Sequence, residues 1–555
     1  MKNNKLKKLV AIVLLGSLSS CDFLDIAPLD SYTEDNIFSD AALTEAYVKK
    51  NYVLPRTGWG QAALRFVSDE SMNNFSWQDS WTINNGGMTP DNMGGLSTWN
   101  DYYWNIKNCN IFFSNEEKLN LIPEETRNIL IGEMTFFRAY YYLDLVNKFG
   151  GVPLITRTFA LDDPEMMVKR NTYEECVDFI QKEFQKAADL LPKQWSGDDF
   201  GRVTKGAALA MKARILLYAA SPLWNTSDDK QKWQDASDAA QAVMALGYTL
   251  DPDYGGLFLN MYSPEIIFHR LYDKEHGHWF DGENSPNGYG KGGYSATCVL
   301  QDMVDSYEME DGTMPNPNIY AAATSDPWKG RDPRLYASVV LDGYQFRDRP
   351  AGFYLSETKD KDGNIQIVSG GKDSKFGEGW WNTTKTGYTL RKFMDESLNV
   401  WYDRGSQPWI YCRLGEIYLN YAEAQYHLEH EDVAREYVNY IRKRARGNRA
   451  DILPDITESG EALLKRIQHE RKIELAFEEH RFFDVRRWKI AEESDNVPGR
   501  AIEIIKKLDG TKSYNIFTIQ PDRKFIAPNH YLLPIPQYER QKNPDLEQNP
   551  GYSKQ

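Results

Sequence analysis

Residues 410–428 read IYCRLGEIYLNYAEAQYHL, and their spacing predicts the fold of the chain. Apolar residues recur there at steps of three and four, which places them on one stripe of an amphipathic α-helix. They are Ile410, Leu414, Ile417, Tyr421, Ala424 and Leu428. The same steps run from Tyr173 to Leu191 and stop at Pro192, because proline disrupts a helix interior. We therefore expect helices that each bury one face.

Helices with this pattern come in consecutive pairs, followed by one further helical group. They are 129–149 with 173–191, 204–220 with 231–246, 409–428 with 433–446, and the group 461–480. Alanines at the expected crossing points, such as Ala207 and Ala239, resemble those of tetratricopeptide hairpins, although the spacers are irregular. We predict a mainly α fold in which about four tetratricopeptide-like helical hairpins form a scaffold.

Two long segments, 51–100 and about 247–400, lack this periodicity. They are rich in Gly, Asn, Asp, Pro and aromatic residues, with turn pairs such as Asn85-Gly86 and Asp311-Gly312. Loops of that length in a compact protein usually carry function. We expect these aromatic-rich loops, together with minor β-structure, to form the ligand-binding face.

The first residues have the pattern of a bacterial lipoprotein signal. Four lysines precede an apolar run from Leu9 to Leu18, which is too short to span a bilayer. The sequence Leu18-Ser19-Ser20-Cys21 resembles a lipobox, whose cysteine is acylated before cleavage, so we expect Cys21 to be the lipidated mature N-terminus. Because several acyl chains on one residue anchor a protein stably, the chain is expected to be tethered to a membrane.

These patterns divide the chain into three parts. Residues 1–20 form the lipoprotein signal peptide, 21–230 the N-terminal part with the first helical hairpins, and 231–555 the C-terminal part. The C-terminal part contains the loop-rich insert of about 247–400 and the last helical hairpins. We expect the second and third parts to form one compact unit.

The charge balance argues against one class of partner. The 555 residues carry a formal charge of −15, and loss of the four lysines with the signal peptide takes it to −19. Nucleic-acid binding is driven by neutralisation of phosphates, so we expect no nucleic-acid partner. The cysteines after Cys21 show no CxxC spacing and are interpreted as small buried hydrophobic residues.

Aromatic residues cluster in the polar loops. Sugars offer flat C–H faces that rings can cover and hydroxyl groups that amides or charges can hold. The candidate ligand-binding residues are Phe75, Trp77, Trp81, Asn84 and Asn85 in one cluster, Trp279 and Tyr289 in a second, and Trp380 and Trp381 in a third. Buried rings of a helical protein follow periodic stripes, whereas these lie among turn residues. The two interpretations of these clustered rings are carbohydrate binding and ordinary packing.

No catalytic or metal site stands out. Glu470, Glu474 and Glu478 follow one another at steps of four, as paired catalytic carboxylates could. Arginines lie within a helical turn of them, which favours an ion-paired scaffold. His276 and His278 lie close together, but no HExxH motif accompanies them. We predict no catalytic residues, no metal and no cofactor.

Several motifs together resemble the SusD/RagB family of surface lipoproteins from glycan-uptake systems. Besides the lipobox they are Trp99-Asn-Asp-Tyr-Tyr-Trp, Phe149-Gly-Gly-Val-Pro-Leu, Arg331-Asp-Pro-Arg-Leu, Glu470-Arg-Lys-Ile-Glu-Leu and Leu533-Pro-Ile-Pro, in family order across the mature chain. One departure is Glu479, where the family often has glycine. The resemblance implies a mostly helical fold on tetratricopeptide-like hairpins, a lipid tether, no catalysis, and docking as a lid on a TonB-dependent outer-membrane barrel.

The combined interpretation is a lipid-anchored outer-membrane protein that faces the cell exterior. We expect it to bind an extracellular oligosaccharide or polysaccharide and to pass it to a SusC-like TonB-dependent transporter. Three alternatives stay open from the residues and the resemblance. They are a surface peptide receptor on the same scaffold, since the family includes peptide importers, a lipoprotein enzyme, and a helical-repeat adaptor that uses its concave surface.

Overall fold

The computed structural model describes residues 34–60, 62–289, 293–321, 326–520 and 522–552. The expected signal peptide and the expected lipidation site, Cys21, lie outside these ranges. No helix in the described ranges is both long enough and apolar enough to cross a membrane.

Helices make up most of the regular structure. In chain order the α-helices are α1 (Glu34–Ser39), α2 (Ala41–Lys49), α3 (Asp79–Asn84), α4 (Trp99–Ser114), α5 (Glu116–Leu119), α6 (Glu124–Phe149), α7 (Tyr173–Leu190), α8 (Lys205–Ala220), α9 (Lys230–Met244), α10 (Phe280–Asn284), α11 (Gln301–Ser306), α12 (Pro333–Ser338), α13 (Leu414–His427), α14 (Glu431–Arg446), α15 (Gly460–Glu474), α16 (Arg481–Arg487), α17 (Ala491–Ser494) and α18 (Gln537–Lys542). The prediction of a mainly α fold is confirmed.

The long helices pack against one another in chain order. Helix α6 packs on α7, α7 on α8, α8 on α9, α9 on α13, and α13 on α14. The three predicted helix pairs therefore form and join into one continuous layer. Their likeness to tetratricopeptide hairpins stays a prediction.

Helix α7 shows how local sequence sets these elements. The Thr172 side chain accepts a hydrogen bond from the Glu175 amide, and the Glu175 side chain accepts one from the Thr172 amide, which forms a capping box. The predicted apolar stripe is buried along its length, with Ile180 and Phe184 fully inside. The helix ends at Leu190, two residues before Pro192.

The segment 410–428 begins as a strand and continues as a helix. Residues Trp409–Arg413 form strand β10, which pairs antiparallel with Ile266–Arg270 (β2) through an irregular register. The predicted helical start at 409 was therefore wrong, because the apolar residues before Leu414 satisfy a strand partner that lies far away in sequence. From Leu414 the helix follows the prediction and buries Ile417, Tyr421 and Ala424.

Short strands bring the loop-rich segments together. The remaining strands are β1 (Ser71–Asn73), β3 (Thr297–Val299), β4 (Val339–Val340), β5 (Gln345–Phe346), β6 (Arg349–Pro350), β7 (Leu355–Lys359), β8 (Ile365–Ser369), β9 (Thr389–Leu390), β11 (Gly499–Lys506) and β12 (Lys512–Gln520). One sheet has the order β12-β11-β7-β8, with β11 and β7 parallel. Strands β1 and β3 pair antiparallel, with Asn73 opposite Thr297, and so join the segment 51–100 to the segment 247–400.

The three glutamates at steps of four belong to a buried ion-pair cluster. Glu474 contacts Arg334, Arg413 and Arg444, and all of these side chains are at most 3 % exposed. Glu470 pairs with Arg334 and with Arg442, and Glu478 pairs with Arg413 and with Lys392. The expected ion-paired scaffold is therefore present. Because every charge in the cluster has a partner, its burial does not leave an isolated ion.

Glu479 adopts the backbone conformation that favours glycine. Its φ is +69°, in the left-handed region, and helix α15 has already ended at Glu474. The Glu479 carboxylate accepts hydrogen bonds from the amides of Leu64 and Arg65 and lies 3.7 Å from the Arg65 guanidinium. The glutamate therefore gains contacts that offset the strain, at the position where the SusD/RagB pattern often has glycine.

We expect Glu70→Gln to stabilise the protein at pH 8 by about 1–2 kcal/mol. Burial raises the pKa of Glu70 to about 7, so the folded chain binds a proton more tightly than the unfolded chain. The free-energy cost of burying the ionised Glu70 is therefore present at high pH. It disappears as the pH falls towards 4.5, the ordinary pKa of a glutamate. Thermal melts at pH 8 and pH 4.5 should show a gain that is much larger at pH 8. An equal gain at both pH values would contradict this assignment.

Candidate functional site

A cavity of about 430 Å³ opens where three distant chain segments meet. The segments are 60–78, 279–296 and 381–382. The aromatic residues in its wall are Phe66, Phe75, Trp77, Trp279, Tyr294 and Trp381, and the polar side chains are Arg65, Asn73, Gln78, Glu283 and Asn382. The volume lies in the range of small-molecule sites, which combine many apolar groups with a few polar ones.

One buried amide joins the three segments. The side-chain nitrogen of Asn74 donates to the carbonyl oxygens of Tyr294, Asn382 and Thr383 at 3.1, 3.2 and 3.0 Å. The pairing of β1 with β3 fixes the same segments from the backbone side. The relative positions of the cavity walls are therefore set by hydrogen bonds rather than by the aromatic residues themselves.

Two walls present exposed tryptophans. Trp77 is 76 % exposed and Trp381 is 64 % exposed, although both rings are large and apolar. The ring centroids of Phe75 and Trp77 are 4.9 Å apart, with an angle of 31° between the ring planes. Exposed rings that line a concave site have the geometry needed to stack on the apolar face of a ligand.

Trp279 is held more tightly than the other two tryptophans. The Arg404 guanidinium carbon lies 4.3 Å from the ring centroid and covers one face of the indole. The backbone of Gly282 lies close to the Nε1 edge of the indole. A Cβ at that position would lie 1.3 Å from the indole nitrogen. That nitrogen, Nε1, is buried and has no hydrogen-bond partner among the described residues.

Polar groups in the cavity are left without protein partners. Asn73 is 1 % exposed, its Oδ1 accepts from the Phe75 amide at 2.9 Å, and its Nδ2 has no partner in the described ranges. Because the bond to Phe75 fixes the orientation of the amide, Nδ2 is the group left over. Burial raises the pKa of Glu283, and the nearby Arg65 guanidinium opposes that shift. Unpaired buried donors of this kind are unusual in folded proteins.

The structure places five of the candidate ligand-binding residues outside the cavity wall. Trp81 packs against the buried cluster of Met72, Cys298 and Leu300, and its Nε1 donates to the Asn73 carbonyl at 3.0 Å. It therefore supports the cavity from behind. Trp380 contacts Trp381 edge to face at 6.0 Å, with 62 % of its own surface exposed.

The other three make contacts within the protein. The buried Asn84 amide donates to the Phe66 carbonyl, and Asn85 ends helix α3 by donating its backbone N–H to the Trp81 carbonyl. The Tyr289 hydroxyl donates to backbone carbonyls, and Arg349 covers its ring at 3.9 Å. The remaining candidates, Phe75, Trp77, Trp279 and Trp381, line the one cavity.

Sequence reasoning missed Arg65, Asn73 and Glu283. Asn73 lies in a strand whose partner is more than two hundred residues away, and Glu283 lies on a five-residue helix, so neither stands in a recognisable motif. Gln78 and Asn382 lie inside the predicted clusters but were not among the candidates. The signal available for them was their position beside the exposed rings.

The candidate histidines have ordinary partners. His276 Nδ1 lies 3.1 Å from the Asp273 carboxylate, and His278 Nε2 lies 3.1 Å from the Gln407 carbonyl. Within the ranges that the structure describes, no group of three or more His, Cys, Asp or Glu side chains is arranged to hold a metal ion.

Two known family models match this chain. The model described as the SusD family matches residues 264–552, which is more than half of the chain. The chain belongs to the SusD family. A second model, described as "Starch-binding associating with outer membrane", matches residues 22–217, so the two together cover most of the chain. The resemblance inferred from the motifs is confirmed.

Relatives agree along the whole length. SusD-like protein P25 of Formosa agariphila is 24 % identical and covers 97 % of each chain. A solved SusD-like protein of Bacteroides fragilis is 31 % identical, with a TM-score of 0.78 over 95 % of this chain and 100 % of that one. A SusD-like carbohydrate-binding protein of Bacteroides fragilis superposes with a TM-score of 0.75 at 23 % identity, over 92 % of this chain and 100 % of that one.

Proposed function

We propose that this SusD family member binds an extracellular glycan in the cavity lined by Phe75, Trp77, Trp279 and Trp381. The observation that carries the proposal is convergence, because residues from three distant segments meet at one cavity of about 430 Å³. Each ring offers an apolar face, and the amides beside them offer donors and acceptors for hydroxyl groups. A relative with the same fold is described as carbohydrate-binding, which supports this ligand class.

The site is suited to binding and release rather than to catalysis. Glu470, Glu474 and Glu478, the glutamates spaced as catalytic carboxylates could be, are ion-paired in the protein interior. The cavity itself holds one carboxylate, Glu283, whereas glycosidases generally act with two that flank the scissile bond. The expected role is capture of an intact oligosaccharide.

The wider role follows from the expected anchor. A chain lipidated at Cys21 and facing the cell exterior would hold the glycan beside the outer membrane, where a SusC-like TonB-dependent barrel could accept it. The family model described as associating with the outer membrane supports this location. Co-purification of the full-length lipoprotein with a barrel from the membrane of the native cell tests the partnership.

Replacing Trp77 by alanine is expected to weaken glycan binding about tenfold. Loss of one stacked ring removes about 1–1.5 kcal/mol, which corresponds to that factor. Isothermal titration calorimetry with the strongest ligand from a panel of neutral and anionic polysaccharides and peptides measures the change. Trp104→Ala is the matched control, because Trp104 is 62 % exposed and does not line the cavity. Equal affinities of Trp77→Ala and the unmodified protein would count against this site. If peptides alone give heat, the ligand class is peptides and not glycans.

A further inference from the structure

The polar groups of the cavity differ in whether they donate or accept hydrogen bonds. Asn73 Nδ2 and Trp279 Nε1 are buried donors without partners in the described part of the chain. The Glu283 carboxylate lines the same cavity and receives no hydrogen bond or ion pair from the described residues. An ionised carboxylate only accepts hydrogen bonds, and an indole N–H only donates them. Because both nitrogens are shielded by the protein, the Glu283 carboxylate is the group among these three that a ligand in the cavity meets, and it requires a hydrogen-bond donor.

Hydroxyl groups meet this requirement and anionic groups do not. A hydroxyl donates its proton to a carboxylate while its oxygen accepts from an N–H group. A sulfate or carboxylate group offers no donor to Glu283 and places a second negative charge near it.

We infer that Glu283 makes the cavity selective for neutral sugars with adjacent hydroxyl groups and against sulfated or uronic sugars. The inference rests on the proposed function, since it assigns the substrate class of that same cavity. The carboxylate accepts hydrogen bonds from hydroxyl groups of the bound sugar.

Arg65 does not reverse this preference. Its guanidinium is 2 % exposed and is already engaged by the Gly58 carbonyl at 2.5 Å, the Thr297 hydroxyl at 3.1 Å and the Glu479 carboxylate at 3.7 Å. The Arg65 guanidinium is therefore already engaged within the protein, with Glu479 as its ion-pair partner. Neither Lys385, whose Nζ donates to the Asn74 carbonyl, nor Arg404 lines the cavity, and the Arg404 side chain is exposed. Screening by solvent reduces its effect on a ligand inside.

Matched glycan pairs test the inference. Calorimetry compares desulfated with sulfated κ-carrageenan oligosaccharides, and methyl-esterified with de-esterified homogalacturonan, so that each pair differs mainly in charge. The unmodified protein is expected to bind the neutral member of a recognised pair at least about tenfold more tightly, because like charges within about 5 Å repel strongly in a protein site. Glu283→Gln, which keeps the shape of the side chain, should reduce that ratio about tenfold. Glu547→Gln changes an exposed carboxylate outside the cavity and should leave the ratio unchanged.

The outcomes separate this inference from the function on which it rests. A ratio that Glu283→Gln leaves unchanged, while Trp77→Ala still weakens binding, overturns the role of Glu283 and preserves the glycan site. Tighter binding of the anionic member by the unmodified protein overturns the inference in the same way. Absence of heat with every glycan, including the wider polysaccharide panel, overturns the proposed function and the inference together. Circular dichroism and thermal melts of each variant establish that a change in binding is not a loss of fold.

Discussion

Arg413→Met is expected to lower the free energy of unfolding by about 3–5 kcal/mol, as removal of one member of a buried ion network does. The guanidinium of Arg413 is 1 % exposed and donates to Glu265, Glu474 and Glu478 at 2.6–2.8 Å. Methionine has a similar length but leaves these carboxylates with fewer counter-charges in a dry interior. Since folded domains are stable by about 5–15 kcal/mol in total, the variant should lose a large part of its stability.

The geometry explains why one residue has this effect. Arg413 ends strand β10 and directly precedes helix α13, Glu265 directly precedes strand β2, and Glu474 ends helix α15. The guanidinium also donates to the Glu474 carbonyl at 2.8 Å, so it fixes backbone as well as side chains. It therefore joins three elements that are distant in sequence.

Urea denaturation of Arg413→Met, Arg413→Lys and the exposed control Arg449→Met measures the effect. Lysine keeps the charge but cannot reach all of the carboxylates, so an intermediate loss is expected. Arg449→Met should leave the urea midpoint unchanged, because its ion pairs with Glu310 and Asp451 are solvent-exposed. A loss below about 1 kcal/mol for Arg413→Met would show that the cluster contributes little beyond its neutral replacement.

The pH dependence supplies a second signature. Burial alone would raise the pKa of Glu474, but Arg444, Arg413 and Arg334 together hold it well below its ordinary value. The stabilisation from a carboxylate with a lowered pKa is complete above its unfolded pKa and is lost as the pH falls. The difference between the unmodified protein and Arg413→Met should therefore be largest at neutral pH and should shrink between about pH 5 and pH 3.

Local patterns predicted the helices because each helix buries a stripe of its own side chains. Helix α7 carries its start signal in Thr172 and Glu175 and its buried stripe within eighteen residues. Strand β10 failed as a prediction because its partner, β2, lies about 140 residues earlier, and no local pattern reveals that pairing. Periodicity alone cannot separate a short apolar strand from the first turn of the helix that follows it.

The same reasoning explains what was visible of the site. Trp77 and Trp381 were predictable because large rings among turn residues contradict the rules for a core. Trp81 belongs to the same loop, yet it packs inward and supports Asn73 through the bond to its carbonyl. Trp77 precedes helix α3, whereas Trp81 lies on the helix and packs against the buried cluster. Asn73 and Glu283 line the same cavity because β1 pairs with β3, and no local sequence pattern reveals that pairing.

Gly282→Ala is expected to weaken glycan binding about tenfold although the substitution adds one methyl group outside the cavity wall. The added Cβ would lie 1.3 Å from Nε1 and 2.1 Å from Cδ1 of Trp279, so the indole must leave its position. The ligand then loses one stacked ring, worth about 1.5 kcal/mol, which corresponds to about tenfold in affinity. Helix α10 has an ordinary right-handed backbone at this position, so alanine itself introduces no backbone strain.

A double-mutant cycle separates this mechanism from general damage. If Gly282→Ala acts only by displacing the indole, it should have no further effect on binding in a Trp279→Ala background. Trp279→Phe, which retains a ring, should lose less affinity than Trp279→Ala. Gly255→Ala is the control glycine, since its added Cβ would meet only ordinary contacts at 3.6 and 3.7 Å. Calorimetry that finds the same loss from Gly282→Ala with and without Trp279 would rule out the indole as the link between this glycine and the ligand.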